Sequence, residues 1–342
     1  MAREPVLSFT DRGIYCPAGD FYVDPWRPVA RALITHGHSD HARSGHGAYL
    51  ATDAALPVMR QRLGTIAAEG IGYGTPRQIG GATVSFHPAG HVPGSAQIRV
   101  AVGGEVWVVS GDYKVAPDGL SEPFEPVICD TFITECTFGL PVFRWPAQAQ
   151  VAADIAAWWA GNAAMGKVSV IGAYGLGKAQ RIMAMLASIG LPGPIHTHGA
   201  VETVTQILRD QGYPLPPTTK VTGKVPSNAL VIAPPSALGS AWAAKLGPRD
   251  EAFASGWMAL RGVRRRRNLG NGFVISDHAD WDGLNSAIRA TRATRVFATH
   301  GYTGPFSRWL ASIGCVSGIV ATEWQGEAAE TEPAPQAETS SP

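Results

Sequence analysis

The sequence predicts an α/β protein in which a second α/β module interrupts the first. Short apolar runs separated by Gly and Pro fill the first 140 residues, and runs of this length are typical of strands. From about residue 147 to 260, apolar strands alternate with longer helical patterns, which is typical of a parallel-sheet domain. Beyond residue 270 the pattern of short strands and loops returns.

The composition agrees with a folded chain of about two domains. Of the 342 residues 45% are hydrophobic, which excludes a wholly disordered or fibrous protein. The sequence has no uninterrupted apolar stretch of about 18 residues, and its first ten residues lack the apolar segment of a secretory signal. Its four cysteines are scattered without a C-x-x-C pair, which favours reduced thiols. We therefore expect a cytoplasmic protein with no membrane partner.

The first module is predicted to consist mainly of strands. We expect strands over 30–35, 83–86, 98–102, 106–110 and 131–134.

The second module begins with a predicted helix over 147–164, which is rich in Ala and carries Val151, Ile155, Trp158 and Trp159 at helical spacing. The alternation continues with strands over 168–173, Ile195–Thr197 and Leu230–Ala233 and helices over 178–189 and 201–211. After the second module we expect strands over 272–276 and 295–299 and helices over Trp281–Thr291 and 306–313.

The strongest chemical signal is the run THGHSDH at residues 35–41, which follows an apolar strand. Alternation at the end of the strand places His36 and His38 on one side. Asp40 and His41 follow on the turn. Four such side chains within six residues would be costly to bury unpaired, so they indicate a metal site.

Three further residues, His91, Asp112 and His300, each stand where an apolar strand meets a glycine. Because strand-end loops can converge on one edge of a core, we expect them to join the first cluster. The ligands suffice for two cations that share Asp112 as a bridge. One cation would take His36, His38 and His91, and the other Asp40, His41 and His300. Imidazole and carboxylate ligands suit Zn²⁺ or Mn²⁺.

This order of ligands resembles the metallo-β-lactamase superfamily, and three more motifs narrow the resemblance to its β-CASP nucleases. The run TECTFG at 134–139 resembles motif A, ISDHAD at 275–280 resembles motif B, and THG at 299–301 resembles motif C. The likeness extends over residues 5–325. It is closest to the bacterial ligase-associated DNA exonucleases, relatives of the Artemis/Apollo-type repair nucleases. A histidine at motif C, here His300, is shared with the RNA-processing branch.

The resemblance implies a metallo-β-lactamase αββα sandwich formed by residues 1–146 and 269–326. A β-CASP α/β domain at 147–268 would be inserted into it and would cap the metal-bearing sheet edge. Residues 327–342, which contain four glutamates and no Lys or Arg, are expected to form a disordered tail.

The resemblance also implies roles for individual residues. A hydroxide activated by two metals, with Asp40 among their ligands, would attack phosphorus. His278 would donate a proton to the leaving alkoxide, and Glu135 would orient the His278 ring. The early acidic residue of the family corresponds to Asp24, with Asp20 as the alternative. We expect Asp277 and Asp280 to be helix N-terminal acids.

Two segments are candidates for binding a polyanion. In the segment AYGLGK at 173–178, backbone amides and Lys178 could hold a phosphate at a helix start, although an ordinary strand–helix turn fits equally well. The basic run of Arg264, Arg265, Arg266 and Arg267 could line a nucleic-acid groove, and the alternative is a solvated loop.

The predicted function is therefore that of a metal-dependent DNA exonuclease with Zn²⁺ as the first choice of metal. It would act from the 5′ end of single-stranded or end-bearing DNA during repair, with a DNA ligase as partner. Both the polarity and the ligase come from the resemblance alone. The alternatives are a ribonuclease of the same architecture, a small-molecule hydrolase, and a non-catalytic nucleic-acid-binding subunit.

Overall fold

A computed structural model describes residues 5–262 and 271–322. These residues form nineteen strands and seven α-helices, which confirms the predicted α/β class. The strands are β1 Ser8–Phe9, β2 Ile14–Cys16, β3 Phe21–Val23, β4 Arg31–Leu33, β5 Ala48–Thr52, β6 Ala68–Ile71, β7 Arg77–Ile79, β8 Ala82–Pro88, β9 Ala96–Val102, β10 Glu105–Val109, β11 Thr131–Cys136, β12 Val168–Gly172, β13 Ile195–Thr197, β14 Thr219–Lys220, β15 Leu230–Ala233, β16 Arg249–Ala254, β17 Asn271–Phe273, β18 Arg295–Gly301 and β19 Val316–Ile319. The helices are α1 Leu56–Leu63, α2 Gln148–Ala164, α3 Lys178–Ala187, α4 Gly199–Asp210, α5 Ala241–Ala244, α6 Trp281–Thr291 and α7 Thr303–Ser312.

Two sheets pack face to face through one apolar core. The first sheet has the order β1-β2-β3-β4-β5-β6, and the second has the order β19-β18-β11-β10-β9-β8-β7. Their facing side chains include Phe21 and Leu33 from the first sheet and Phe86 and Ile98 from the second, all fully buried or nearly so. Burial of these apolar side chains holds the two sheets together.

Helices cover the outer faces of both sheets. Helix α1 packs on the first sheet through Leu56 and Met59. Helices α6 and α7 pack on the second sheet through Leu284, Ile288 and Phe306, among others. The result is a four-layer body with the order helix, sheet, sheet, helix.

A third sheet with the order β14-β13-β15-β12-β16-β17 is parallel throughout. Helices α2 and α3 cover one of its faces through residues such as Ile155, Trp159 and Ile182. A small apolar cluster joins this module to the body: Val58 and Val92 of the body pack with Leu176 and Leu208. This contact fixes the third sheet beside the chain segment after β4.

Most predicted elements appear with bounds shifted by a few residues, and β13, β15 and α6 have the predicted bounds. Helix α1 and several strands of two to six residues, including β1–β3, β14 and β16, were not predicted. Strands this short show too few alternations to be recognised.

The basic run 264–267 and the tail 327–342 lie outside the described residues. All four cysteines are free thiols. Within residues 5–262 and 271–322, no helix has the length and apolar character needed to span a bilayer.

Candidate metal centre

The THGHSDH segment leaves the first sheet at the edge where the two sheets of the body meet. Ile34 N–H donates to Leu50 O at 2.9 Å, and Ala96 N–H donates to Thr35 O at 2.8 Å. These bonds fix the backbone up to residue 35. The histidines that follow are thereby held above the strand ends.

Three histidine nitrogens converge on one point. His36 Nε2 lies 3.0 Å from His38 Nδ1, and His91 Nε2 lies 3.1 Å from the same atom. Two nitrogens bound tetrahedrally to one Zn²⁺ at about 2.1 Å would lie about 3.4 Å apart. The three nitrogens therefore have nearly the spacing of ligands on one cation.

The other ring nitrogens of two of these histidines bond to backbone carbonyls. His38 Nε2 donates to Leu176 O at 3.2 Å, and His91 Nδ1 donates to Asp277 O at 2.8 Å. Such outer hydrogen bonds fix the tautomer and the orientation of a metal-binding histidine. Leu176 follows β12 and Asp277 follows β17, so the third-sheet module contributes to orienting the ligands.

Asp40, His41 and His300 form a second group whose ligand atoms all lie within 4.8 Å of one another. His41 Nε2 lies 3.9 Å from Asp40 Oδ2. The His41 and His300 rings are stacked with centroids 5.8 Å apart. The structure thus brings together the three residues predicted to share one cation.

Asp112 lies between the two groups. Its Oδ2 is 3.7 Å from Nε2 of His36, 3.4 Å from Nε2 of His41 and 3.8 Å from Nε2 of His91. Its Oδ1 is 3.6 Å from Nδ1 of His300. Among the described residues Asp112 Oδ1 is buried without a hydrogen-bond partner. A buried carboxylate oxygen surrounded by nitrogens in this way fits a bound cation.

His300 reaches the centre because of an irregularity in β18. The parallel pairing of β11 with β18 shifts register here, since Glu135 pairs with Thr299 but Cys136 pairs with Gly301. The extra residue is His300, which adopts a left-handed backbone with φ of 56°. Bulges of this kind re-aim a side chain at the end of a strand. Gly301 is required next to it because a Cβ there would lie 2.4 Å from Cys136 O.

Asp24, not Asp20, lies against the ligand cluster. Asp24 is fully buried. Its Oδ2 accepts hydrogen bonds from His41 Nδ1 at 2.7 Å and from Thr35 Oγ1 at 2.5 Å. Asp20 is exposed and accepts a hydrogen bond from Tyr15 OH. Asp24 therefore orients His41 and directs its Nε2 toward Asp112.

Glu135 and His278 form a buried pair beside the two groups. His278 Nδ1 lies 2.9 Å from both carboxylate oxygens of Glu135. Glu135 also accepts hydrogen bonds from Tyr113 N at 2.8 Å and from Thr137 Oγ1 at 2.5 Å. These bonds fix the position of the Glu135 side chain, and the centroid of the His278 ring lies 4.6 Å from that of His91.

The two aspartates beside His278 have different environments. Asp280 is the N-cap of α6 and accepts the Gly283 N–H at 2.8 Å, as expected. The expectation for Asp277 was wrong. Its carboxylate is buried 3.8 Å from Lys178 Nζ and 3.3 Å from Arg181 Nη1, since α3 brings two cations against it.

Lys178, predicted to bind phosphate, has no exposed surface. Its Nζ lies 4.5 Å from the centroid of the Tyr174 ring and 3.8 Å from Asp277 Oδ2. A role in substrate binding stays a prediction for Lys178, and the same holds for the arginines at 264–267.

The electrostatics of the centre favour a cation. Desolvation lowers the pKa of His36 well below its ordinary value, so this imidazole is neutral. Burial alone would also lower the pKa of His41, but the carboxylates of Asp112, Asp40 and Asp24 raise it well above its ordinary value. The three carboxylates around the His41 imidazole therefore favour a positive charge at this position. The set of nitrogen and oxygen donors fits divalent metal ions without selecting one.

One residue that was not predicted, Arg62, forms hydrogen bonds to the backbone of residues 37–42, the segment that carries three candidate ligands and is called the ligand segment below. Arg62 of α1 donates from Nε to Gly37 O at 3.2 Å and from Nη2 to His38 O at 3.4 Å and to Ala42 O. It thereby binds the backbone at both ends of the segment that carries His38, Asp40 and His41. No sequence signal pointed to Arg62, because its partners are backbone carbonyls.

No protein-family model matches this chain, whereas individual curated proteins do. A protein named "Probable DNA ligase" from Opitutus terrae is 30% identical over 305 residues, which is 88% of this chain and 30% of that protein. RNase aCSPSF2 from Saccharolobus solfataricus is 28% identical over 141 residues, which is 40% of this chain and 28% of the relative. Ribonuclease TTHA0252 from Thermus thermophilus is 31% identical over 149 residues, with coverages of 35% and 34%. The matches thus span about a third of each of these longer relatives.

A crystal structure of a protein of unknown function from Enterococcus faecalis V583 resembles the fold, with a TM-score of 0.56 and 10% sequence identity. The match covers 86% of this chain and 79% of that one. At this identity the likeness concerns the fold alone. The curated relatives and the clustered His and Asp side chains together point to the β-CASP/metallo-β-lactamase superfamily.

Proposed function

We propose that the chain is a metal-dependent DNA exonuclease that hydrolyses phosphodiester bonds and is related to the bacterial ligase-associated, Artemis/Apollo-like DNA exonucleases. The observation that carries this proposal is the convergence of two ligand groups on Asp112, with the His278–Glu135 pair alongside. A small-molecule hydrolase would not need the third-sheet module, and in a non-catalytic subunit loss of ligands would be expected.

The proposed metal sites share one residue. His36, His38, His91 and Asp112 would hold one cation. Asp40, His41, His300 and Asp112 would hold the other, with Zn²⁺ as the first choice and Mn²⁺ as the alternative. Divalent cations at these sites would lower the pKa of a water molecule and offset negative charge on the phosphodiester.

The chain's own residues would donate the proton to the leaving group and fix the histidine tautomers. Glu135 accepts the Nδ1–H of His278, so the proton for the leaving alkoxide is carried at Nε2. Negative charge develops on the leaving oxygen, and a histidine imidazole is the side chain that most often donates a proton to such a group. Asp24 would keep His41 in the tautomer that presents Nε2 to the centre.

The DNA substrate is supported by the relative named as a probable ligase. Its match extends over 88% of this chain, whereas the ribonuclease-named relatives match 40% or less. On this basis we also propose a ligase as partner and action in DNA repair. Action from the 5′ end is proposed from the family resemblance alone, and a cytoplasmic location is proposed from the sequence alone. A ribonuclease remains the second candidate, because two relatives are named as such and the motif C position is His300.

The domain boundaries form part of the proposal. The predicted boundaries make residues 1–146 and 269–326 a metallo-β-lactamase sandwich and residues 147–268 a β-CASP domain that would cap the centre. Strand β17, Asn271–Phe273, pairs with β16 of the third sheet, so the second boundary lies after residue 273 rather than at residue 268. Lys178 and Arg264–Arg267 would contribute positive charge on the capping side.

The experiment is digestion of matched DNA and RNA strands labelled at either end, with 5′-phosphate or 5′-hydroxyl termini and with Zn²⁺ or Mn²⁺ supplied in turn. We expect stepwise shortening of DNA from its 5′ end. Preferential cleavage of RNA would establish the second candidate instead. Absence of hydrolysis with either metal on both polymers would contradict the proposal.

A further inference from the structure

A cavity of about 430 Å³ opens between the four-layer body and the third-sheet module beside the metal centre. The body lines it with the segment 37–39 and with helix α1, and the third-sheet module lines it with the segment 174–176 and the first turns of α4. One of its lining residues is the candidate metal ligand His38. A group bound in the cavity would therefore lie next to whatever is bound at the metals.

The walls of this cavity are mainly apolar. Val58 and Leu176 form one part of the wall, and both are buried. Val204 and the ring of Tyr174 form another part, and both are half-buried. At Gly175 a Cβ would meet only Ala200 O, at 3.9 Å, so the backbone here is open to a close neighbour. Such walls suit a planar apolar ring rather than a phosphate.

Polar groups occupy the rim of the cavity. Gln61 and Arg62 lie on the last turn of α1, and Thr203 lies on the exposed face of α4. The Gln61 amide and Nη1 of Arg62 can donate hydrogen bonds to ring nitrogens and exocyclic oxygens. The Thr203 hydroxyl donates to Gly199 O at 3.0 Å, so Thr203 contributes only the shape of the rim. Apolar walls with hydrogen-bonding groups at the rim are the combination used for nucleobases.

We propose that this cavity binds one unstacked nucleobase of the substrate strand, next to the nucleotide whose phosphate is at the metal centre. The inference rests on the proposed nuclease function and specifies its substrate class. A base can enter the cavity only when it is not paired with a complementary base. The substrate is therefore a single strand or a frayed end rather than an intact duplex. Contacts to the walls are independent of base identity, since every base has an aromatic face.

The test is equilibrium binding in EDTA, where hydrolysis cannot interfere, read by fluorescence anisotropy of a labelled, 5′-phosphorylated single strand. An abasic residue is placed in turn at each of the first four positions. We expect one position at which loss of the base weakens binding about 10-fold. We also expect a blunt duplex of the same sequence to bind at least 10-fold more weakly than the single strand.

Variants of Thr203 test whether the loss of affinity on removing a base arises in this cavity. Thr203 is exposed, so Thr203→Phe can fill the cavity from its rim without disturbing the core, and Thr203→Val is the matched control. Thr203→Phe should weaken binding of the intact strand about 10-fold and leave binding of the critical abasic strand unchanged. Thr203→Val should change neither.

Two results would overturn the inference. One is equal affinity for intact and abasic strands at all four positions, and the other is an equal loss on both strands in Thr203→Phe. Because binding is measured without metal, failure of hydrolysis with Zn²⁺ or Mn²⁺ would reject the proposed function separately.

Discussion

His278 Nδ1 lies equally close, at 2.9 Å, to the two carboxylate oxygens of Glu135. The carboxylate is further fixed by hydrogen bonds from Tyr113 N and Thr137 Oγ1. The His278 ring is therefore held in one orientation with one tautomer, and the pair is buried directly beside His91. A histidine prepared in this way can deliver a proton to a leaving group.

We predict that His278→Ala lowers kcat on DNA by about 10²–10⁴-fold, because a general acid contributes about that much. The same variant should lose far less activity on a 4-nitrophenyl nucleotide ester, since nitrophenolate leaves without a proton. Glu135→Gln should show the same selectivity with a smaller loss. Steady-state kinetics on both substrates provide the measurement, with His196→Ala of β13 as control. Equal losses on the two substrates would show that His278 is not the acid.

Arg62 provides a second prediction, because it binds three backbone carbonyls around the ligand segment. Arg62→Gln should weaken metal binding about 10–100-fold, which is the usual effect of losing an outer-shell partner. Arg60→Gln is a matched control on the same helix, since Arg60 donates to the distant Ala68 O. Metal affinity is measured by competition with a chromophoric chelator. If the two variants bind metal equally well, Arg62 has no role in positioning the ligands.

Gly301 and Gly314 provide a test of the bulge that carries His300. Both glycines have left-handed backbones, with φ of 95° and 92°. A Cβ at Gly301 would lie 2.4 Å from Cys136 O, whereas a Cβ at Gly314 meets nothing within 4 Å. Gly314→Ala should cost about 1 kcal/mol of unfolding free energy, which reflects the conformational preference alone.

Gly301→Ala should cost about 1–3 kcal/mol more, because the added methyl group overpacks the site. Urea unfolding followed by circular dichroism measures both variants. Equal midpoints for Gly301→Ala and Gly314→Ala would mean that β11 can move away from the added methyl group.

The sequence was most informative where the candidate metal ligands are close together in the chain or follow directly after a strand. His36, His38, Asp40 and His41 lie within one short run, so their proximity is local. His91, Asp112 and His300 each follow an apolar strand, and strand ends meet at sheet edges. The structure gathers all seven. The choice between Asp20 and Asp24 needed the structure, because it depends on which side chain reaches His41.

Other features carry no signal in the sequence. The partners that orient His38 and His91 are the carbonyls of Leu176 and Asp277, and a backbone carbonyl is the same in every residue. The pairing of Asp277 with Lys178 and Arg181 depends on how α3 packs. Helix α1, which supplies Arg62, has only eight residues and was not recognised.

The most direct measurement is the metal content of the purified chain after equilibration with Zn²⁺ and removal of excess, determined by mass spectrometry of the elements. We predict two ions per wild-type chain and two ions for His87→Ala, since the His87 side chain contacts Ser85 and Glu125 outside the centre. Asp112→Ala should retain fewer than one ion while keeping the circular dichroism spectrum of the folded protein. Two tightly held ions in Asp112→Ala, or none in the wild type with either Zn²⁺ or Mn²⁺, would contradict a shared metal centre.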